Sequence, residues 1–247
     1  MEVHHHPHVE KKNFKEYFRE FIMIFLAVTL GFFAESLREF IVEHGKEKHY
    51  VRSLIADLKK DTAAISLAYP AQKLFIKNMS NVLKIPIDKI SDIPTQDTFY
   101  RNFVNLYASY WVFVPYSSTI TQLNNGGFSV FHDQDVIDSI NALNSYYESL
   151  VKLNADAYLK SNEKTADLAT QLIRLPVIPA SDVDSTFGHI PDNTEVFIQY
   201  NKPLLEQLYS NIRYQKGALL YYMGVEKEYA KQITQLIKFL QKKYHMH

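Results

Sequence analysis

The densest set of chemically versatile side chains is His132, Asp133 and Asp135, an H-D-x-D pattern. An imidazole beside two carboxylates could bind a cation, or could act as a base whose orientation a carboxylate sets. Aspartates at this spacing also open helices, because their side chains accept hydrogen bonds from free amides and suit the positive end of the helix dipole. We favour the helix start, because such clusters more often open helices than form sites.

Four more histidines, His4, His5, His6 and His8, lie in the N-terminal tail. Clustered imidazoles can bind divalent metals, but a purification tag or a disordered tail with incidental affinity would show the same cluster. Pro7 interrupts the run, which continues into native-looking sequence, so a tag is disfavoured. We assign neither a metal site nor a cofactor to the chain.

Other chemistry is disfavoured by what the sequence lacks. The nucleophile elbow, the P-loop, the dinucleotide fingerprint and the zinc-protease motif are absent. The chain has no cysteine, which removes disulfides, thiolate metal sites and cysteine nucleophiles. Lys plus Arg (27) balance Asp plus Glu (27), and no basic stripe suits nucleic acid. The sequence therefore predicts a protein that is not an enzyme and binds no nucleic acid.

The stretch 21–34, FIMIFLAVTLGFFA, is uncharged and apolar all round the helix that it would form. At about 1.5 Å per residue it covers about 21 Å, less than the roughly 30 Å hydrocarbon core of a bilayer. Residues 18–42 are long enough to span it, with Arg19 and Arg38 extending toward the headgroups and Glu20, Glu35 and Glu39 near the two interfaces. A buried core helix is the alternative, and a signal peptide fits less well because Phe32 is bulky for the −3 position. We predict a transmembrane helix over residues 18–42.

One face of this helix could contact another membrane helix. Ala27 and Gly31 have the small-xxx-small spacing that lets two backbones approach closely in lipid. Glu35 and Glu39, with Arg38, could form an ion path, because ionisable groups inside a membrane are functional candidates by default. Their place at the end of the apolar run favours the interface instead, unless another helix covers them. We predict a membrane-helix contact at Ala27, Gly31 and Glu35.

The basic residues near the apolar stretch are unevenly placed. Lys and Arg crowd residues 11–19 before it, whereas Arg38 stands among glutamates after it. The positive-inside rule then places the N-terminus in the cytoplasm, and a long C-terminal domain can be exported regardless of its charge. We predict a His-rich basic cytoplasmic tail at 1–17, the transmembrane helix at 18–42 and an exported α-helical domain at 43–247.

Helical periodicity dominates the remainder. Val51, Leu58 and Ile65 repeat every seven residues, the segment 133–175 has a similar repeat, and Pro203 opens a final helix of about 42 residues with two apolar heptad positions. The predicted fold class is all-α: one N-terminal transmembrane helix continues into an elongated antiparallel helical bundle with coiled-coil-like long helices.

Several residues should interrupt or begin these helices. Pro70 predicts a kink or a stop, and Thr95 or Asp97 predicts a helix start. The segment NNGG at 124–127 predicts the end of a short helix capped by residues 117–119. The polar SNEKT at 161–165 predicts a break in the preceding long helix.

The anchor EYFREFIMIFLAVTLGFFAESLREF and the following EKHYVRSLIADLKKD resemble a family of uncharacterised bacterial single-pass membrane proteins. The pattern T-x-x-Q-L-x-x-x-G from Thr119 to Gly127 and the pair Tyr146 and Tyr147 add to the resemblance. It covers the anchor well and the exported domain loosely. The resemblance implies the same topology, a bacterial inner-membrane anchor with a periplasmic α-helical domain, and brings no enzyme activity.

Two functions of different classes fit these expectations. The first is an interaction, scaffold or accessory subunit of a membrane assembly, in contact with the bilayer and with a second copy or another membrane protein. The second is a membrane-anchored sensor whose helical bundle binds a small ligand. Only about twenty residues precede the predicted span, so a sensor would have to signal through the helix of a partner.

Overall fold

A computed structural model describes residues 13–107, 112–174, 197–198 and 200–246, so the histidine cluster at 4–8 lies outside the described residues. The chain divides into two compact units, Met1–Tyr50 and Val51–His247.

The described residues are helical almost throughout. The α-helices are α1 (Phe14–Lys84), α2 (Ile93–Tyr107), α3 (Ser118–Asn124), α4 (Gln134–Tyr146), α5 (Lys152–Leu172) and α6 (Lys202–Lys243). Two short 3-10 helices lie at Ile87–Lys89 and Gly127–Val130, and a π-helix at Tyr147–Val151 joins α4 to α5. Within the described part of the chain, strand pairing is limited to one antiparallel bridge between Ile173 and Phe197. The predicted all-α fold is confirmed.

The N-terminal part of α1 is exposed on all sides. Phe32 is 72% exposed and Leu30 is 64% exposed, and none of the most apolar part of this helix is buried by other side chains. A buried core helix, the alternative weighed for the stretch 21–34, is not what the structure contains. Among the described residues, α1 is the one helix that is long and apolar enough to cross a membrane.

Pro70 does not stop α1, which continues to Lys84. A proline inside a helix lacks an amide hydrogen and typically costs about 3 kcal/mol. The residues on either side offset this cost by burial, because Ala68, Gln72 and Phe75 all lie in the core. The stop that Pro70 suggested is therefore wrong, since packing outweighs the local preference.

The core of the unit Val51–His247 forms around α6. The predicted heptad positions Leu205, Ile212, Leu219, Ile233 and Leu240 are all buried, as are Val51, Leu58 and Ile65 of α1. Gln72 contacts Glu226, and Tyr209 contacts Ile85 just after α1. Residue numbers rise along one helix as they fall along the other, so this part of α1 and α6 run antiparallel, as predicted.

The segment SNEKT does not break the long helix, because it lies inside α5. Ser161, Asn162 and Thr165 are buried against α6, where Asn211 and Gln215 supply hydrogen-bond partners. Buried polar groups are tolerated when they are paired in this way. The predicted break was wrong because the sequence pattern alone does not reveal the partners.

Helix ends agree with the sequence in part. Asp133 caps α4 by accepting a hydrogen bond from Val136 N at 3.3 Å, which confirms the helix-start interpretation of the H-D-x-D pattern. The helix α2 begins at Ile93, earlier than the predicted start at Thr95 or Asp97. Thr95 lies in its first turn, where its hydroxyl donates to Asp92 Oδ2 at 3.1 Å.

The NNGG segment ends α3 as predicted. The backbone of Gly126 has a φ of 104°, a conformation that residues other than glycine rarely adopt. A Cβ on Gly127 would lie 2.9 Å from the carbonyl oxygen of Gln122, so the second glycine is required by close packing.

Candidate functional site

Ala27, Gly31 and Glu35 lie at four-residue intervals along α1 and therefore share one stripe of the helix. All three are exposed. A Cβ built on Gly31 meets no atom within 4 Å, so no contact among the described residues requires glycine there. Glu35 pairs with Arg38 of the same helix, whose Nε donates to Glu35 Oε2 at 3.0 Å. The stripe is thus open to a partner.

The polar group in the middle of this apolar stretch is satisfied internally. The Thr29 hydroxyl donates to the Phe25 carbonyl oxygen one turn earlier, at 2.7 Å. In a hydrocarbon environment each unpaired polar group costs several kcal/mol, so such self-pairing suits a helix in lipid. Phe25 also stacks on Phe21, with ring centroids 6.1 Å apart.

The unit Val51–His247 contains a second arrangement, in which buried acidic and phenolic side chains hold the segment 112–119. Asp57 of α1 is 8% exposed and accepts three hydrogen bonds through one oxygen, Oδ2. The donors are Ser118 Oγ at 3.0 Å, Thr119 Oγ1 at 2.7 Å and Thr119 N at 3.3 Å. Asp57 therefore caps α3 from another helix, whereas the expected cap within residues 117–119 makes no side-chain bond at Ser117.

Hydrogen bonding sets the ionisation of Asp57. Burial by itself would raise its pKa, but the bonds from Thr119 and Ser118, with a smaller contribution from the Lys60 charge, hold the pKa below its usual range. The carboxylate is charged at neutral pH and contributes stability that is lost on protonation.

Asp61, one turn further along α1, accepts from the backbone amide of Tyr116 at 2.8 Å. It is only 2% exposed. Burial raises the pKa of Asp61 to about 6, and the nearby charge of Asp57 adds to the effect. Two aspartates on one helix face thus have pKa values shifted in opposite directions.

Glu226 of α6 completes the arrangement. Its Oε2 accepts from Gln72 Nε2 at 2.9 Å, and its Oε1 accepts from the Tyr222 hydroxyl at 3.1 Å. The same hydroxyl accepts from the backbone amide of Phe113 at 2.9 Å. Burial raises the pKa of Glu226 above its ordinary value.

The amides of residues 113, 116 and 119 are therefore held by Tyr222, Asp61 and Asp57 in turn. We call this arrangement the clasp: Asp57, Asp61, Tyr222 and Glu226 holding the segment 112–119. Every carboxylate in it already accepts from the protein itself. Among the described residues, no group of three His, Asp or Glu side chains could hold a metal ion. The arrangement fixes the connecting segment 112–119 to α1 and α6.

Aromatic side chains pack beside the clasp at the π-helix. Phe113 meets Tyr147 edge to face, with ring centroids 6.3 Å apart, and Tyr229 lies 5.9 Å from Phe113 and 5.8 Å from Tyr147. Tyr146 stacks on Tyr229 at 6.3 Å. Such pairs add roughly 0.5–1.5 kcal/mol each beyond burial. The π-helix changes the helix register at Tyr147, next to these contacts.

Sequence reasoning missed the clasp, although two signals were present. Glu226 interrupts an otherwise apolar heptad position of α6, which indicates a buried charge with a partner. Asp57 and Asp61 flank Leu58 in the apolar pattern of α1, and this placement also suggests burial. The identity of the bonded segment could not be read from the pattern, because its residues lie about sixty positions away.

Family models, curated proteins and solved structures offer no match to this chain.

Proposed function

We propose that this chain is a non-catalytic single-pass membrane protein that acts as an interaction, scaffold or accessory subunit of a membrane assembly. Residues 18–42 cross the inner membrane of a bacterium, residues 1–17 stay in the cytoplasm, and residues 43–247 form the periplasmic domain. Membership of the bacterial family that the anchor resembles is part of this proposal. The partner is a second copy of the chain or another membrane protein.

The exposure of the apolar stretch carries the proposal. Phe21, Met23, Ile24 and Leu26 are each half-exposed or more, and at about 100° per residue they lie on all sides of the helix. Leaving apolar surface in water costs roughly 25 cal/mol per Å², and soluble monomers rarely expose patches above a few hundred Å². A bilayer removes this cost around the whole helix. The self-paired Thr29 hydroxyl supports the same environment.

The open stripe of Ala27, Gly31 and Glu35 supports the choice of an interaction role. Glycine inside a helix costs roughly 1 kcal/mol relative to alanine, and no contact with the residues that the structure describes offsets that cost at Gly31. Small residues are favoured where membrane helices pack closely. The Glu35 and Arg38 pair lies at the end of this stripe, where it can meet either headgroups or a partner.

The clasp supports a rigid domain rather than a catalytic one. Its three carboxylates bind the chain's own amides, hydroxyls and carboxamide, which fixes the segment 112–119 on α1 and α6. A rigid helical domain held at a membrane surface is suited to presenting fixed surfaces to a partner.

The test is purification of the tagged full chain from native membranes, with Gly31→Leu compared with the wild type. We expect a second copy or a stoichiometric membrane protein to be recovered with the wild type and to fall roughly tenfold with Gly31→Leu, because the larger side chain separates the helices. Thr29→Leu is the matched control, since position 29 lies about 160° from Gly31 around the helix.

Two results contradict the proposal in different ways. Recovery of the full chain in the aqueous fraction after cell breakage would show that residues 18–42 do not cross a membrane. Equal recovery of the partner with wild type, Gly31→Leu and Thr29→Leu would be compatible with the membrane span but would show that Ala27, Gly31 and Glu35 do not form the contact.

A further inference from the structure

A groove of about 770 Å³ lies between α5 and α6. Its size is within the range of roughly 300–1,000 Å³ that small-molecule sites occupy. The residues that matter for recognition are Leu153, Lys160, Lys164, Asn211 and Tyr214. The groove is separate from the clasp and from the membrane stripe, so it goes beyond the proposed function.

The floor of the groove is a buried polar side chain with a free acceptor. Asn211 is only 8% exposed, and its Nδ2 donates to the Ser161 carbonyl oxygen and to Thr165 Oγ1, both at 2.8 Å. Both bonds use the amino group, so the amide oxygen Oδ1 has no donor among the described residues. An amide oxygen with an unused acceptor on the floor of a groove favours a ligand that brings an N–H or O–H group.

The floor is held rigidly by a ladder of hydrogen bonds between α5 and α6. Thr165 Oγ1 donates to Gln215 Oε1 at 2.7 Å, and Gln215 Nε2 donates to Asn162 Oδ1 at 2.8 Å. Asn211 joins the ladder through Thr165. A fixed polar group loses little entropy on binding, which favours specific recognition.

The walls combine positive charge with exposed apolar surface. Lys160 and Lys164 lie one turn apart on α5, and neither forms an ion pair with a residue that the structure describes. Asp156 lies one turn earlier, where it interacts with the charge of Lys152. At the rim, Leu153 is 64% exposed and Tyr214 is 62% exposed, and both can cover a ring or an alkyl group.

We propose that this groove binds a small organic anion that carries an aromatic ring and an amide N–H donor. The anionic group pairs with Lys160 and Lys164, the N–H donates to Asn211 Oδ1, and the ring packs against Tyr214 and Leu153. An N-acylated aromatic amino acid with a free carboxylate has all three features in a compact arrangement.

The probe is N-acetylphenylalanine, titrated against the full chain in phosphatidylcholine nanodiscs and followed by ligand-observed NMR, with empty nanodiscs as the blank. N-acetylphenylalanine amide is the matched neutral compound. We expect saturable binding of the acid with a dissociation constant on the order of 1 mM, as is usual for a compound of this size, and roughly tenfold weaker binding of the amide.

Substitutions of the groove residues test whether the acid binds in the groove. Lys160→Glu with Lys164→Glu, and separately Tyr214→Ala, should each weaken binding of the acid roughly tenfold. All three residues are exposed, so the variants should fold. Lys238→Glu is the matched charge reversal, since Lys238 is exposed on α6 about 36 Å from Tyr214, and it should change the affinity less than about twofold.

Three outcomes overturn the inference. They are equal affinity for the acid and the amide, full binding to the variant with both lysines reversed, and the absence of saturable binding at concentrations well above the expected dissociation constant. None of them bears on the membrane contact, which is measured with a different variant and a different readout.

Discussion

The two ends of α1 are built from similar apolar residues, but their surroundings differ. Along the stretch 21–34 almost every apolar side chain is exposed, whereas after Val51 the apolar positions that recur every seven residues are buried. A helix with one apolar seam can bury it against a neighbouring helix in water. A helix that is apolar on every side needs an apolar solvent. The distribution of apolar residues, rather than their number, separates the two ends.

Polar groups differ between the two ends in the same way. Thr29 pairs with the backbone one turn away, so its hydrogen bond requires no other part of the chain. Asp57 and Asp61 instead pair with residues 116–119, which approach them only in the folded domain. The polar group of the first end finds its hydrogen-bond partner within the same helix, whereas those of the second end find theirs in tertiary contacts. The two ends should therefore respond differently to substitution.

The largest expected effect comes from placing charges on the apolar end. Leu26→Arg with Leu30→Arg should prevent stable insertion, because each arginine at the centre of a span costs roughly 3 kcal/mol. Carbonate extraction of membranes measures the bound fraction. Leu67→Arg is the control, because Leu67 is a leucine of the same helix that is 78% exposed in the other unit. Retention of the double variant in the membrane would show that the apolar end of α1 does not need a lipid environment, contrary to the difference drawn between the two ends.

The second effect concerns the hydrogen bonds of Asp57. Asp57→Ala removes the acceptor of three hydrogen bonds and leaves buried donors on Thr119, so we expect a loss of roughly 2–4 kcal/mol in unfolding free energy. Denaturant unfolding of the full chain in detergent measures this loss. Asp97→Ala removes an exposed pair with Arg101 and should cost less than about 1 kcal/mol. Equal losses would show that the clasp contributes no more than a surface pair.

The smallest effect separates the two aspartates by pH. The pKa of Asp61 in the folded state is about 6, above the value of 3.8 for a free aspartate. The Asp61 carboxyl therefore stays protonated up to a higher pH in the folded state than in the unfolded chain. The contribution of Asp61 to stability is therefore most favourable below pH 4, declines as the pH rises toward 6 and is constant above that.

Asp61→Asn keeps an acceptor for the Tyr116 amide and removes this ionisation cost. At pH 7.5 the variant should be roughly 1–2 kcal/mol more stable than the wild type, and the difference should vanish near pH 3.5. Unfolding at a series of pH values measures both. Asp57 shifts in the opposite direction, so Asp57→Asn should destabilise most above pH 4. A pH-independent gain for Asp61→Asn would contradict the assigned ionisation.

The sequence alone was sufficient for features that depend on residues close together in the chain. The heptad positions and Pro203 predicted α6, which spans Lys202–Lys243, and the NNGG segment predicted the end of α3. The apolar stretch 21–34 was predicted to lie outside a protein core because it has no polar side. These features follow from periodicity and backbone preference, both of which are local.

Tertiary structure decided which local preferences were overruled. Pro70 remains inside a helix because its neighbours are buried, and Ser161, Asn162 and Thr165 remain in α5 because Asn211 and Gln215 of α6 pair with their side chains and backbone. Asp57 caps a helix about sixty residues further along the chain. A buried polar group is stable only with its partner in place, and the partner is set by how the helices pack. The sequence determined the apolar stretch and most of the helical segments, and packing determined which polar groups could be buried and which helices continue through Pro70 and residues 161–165.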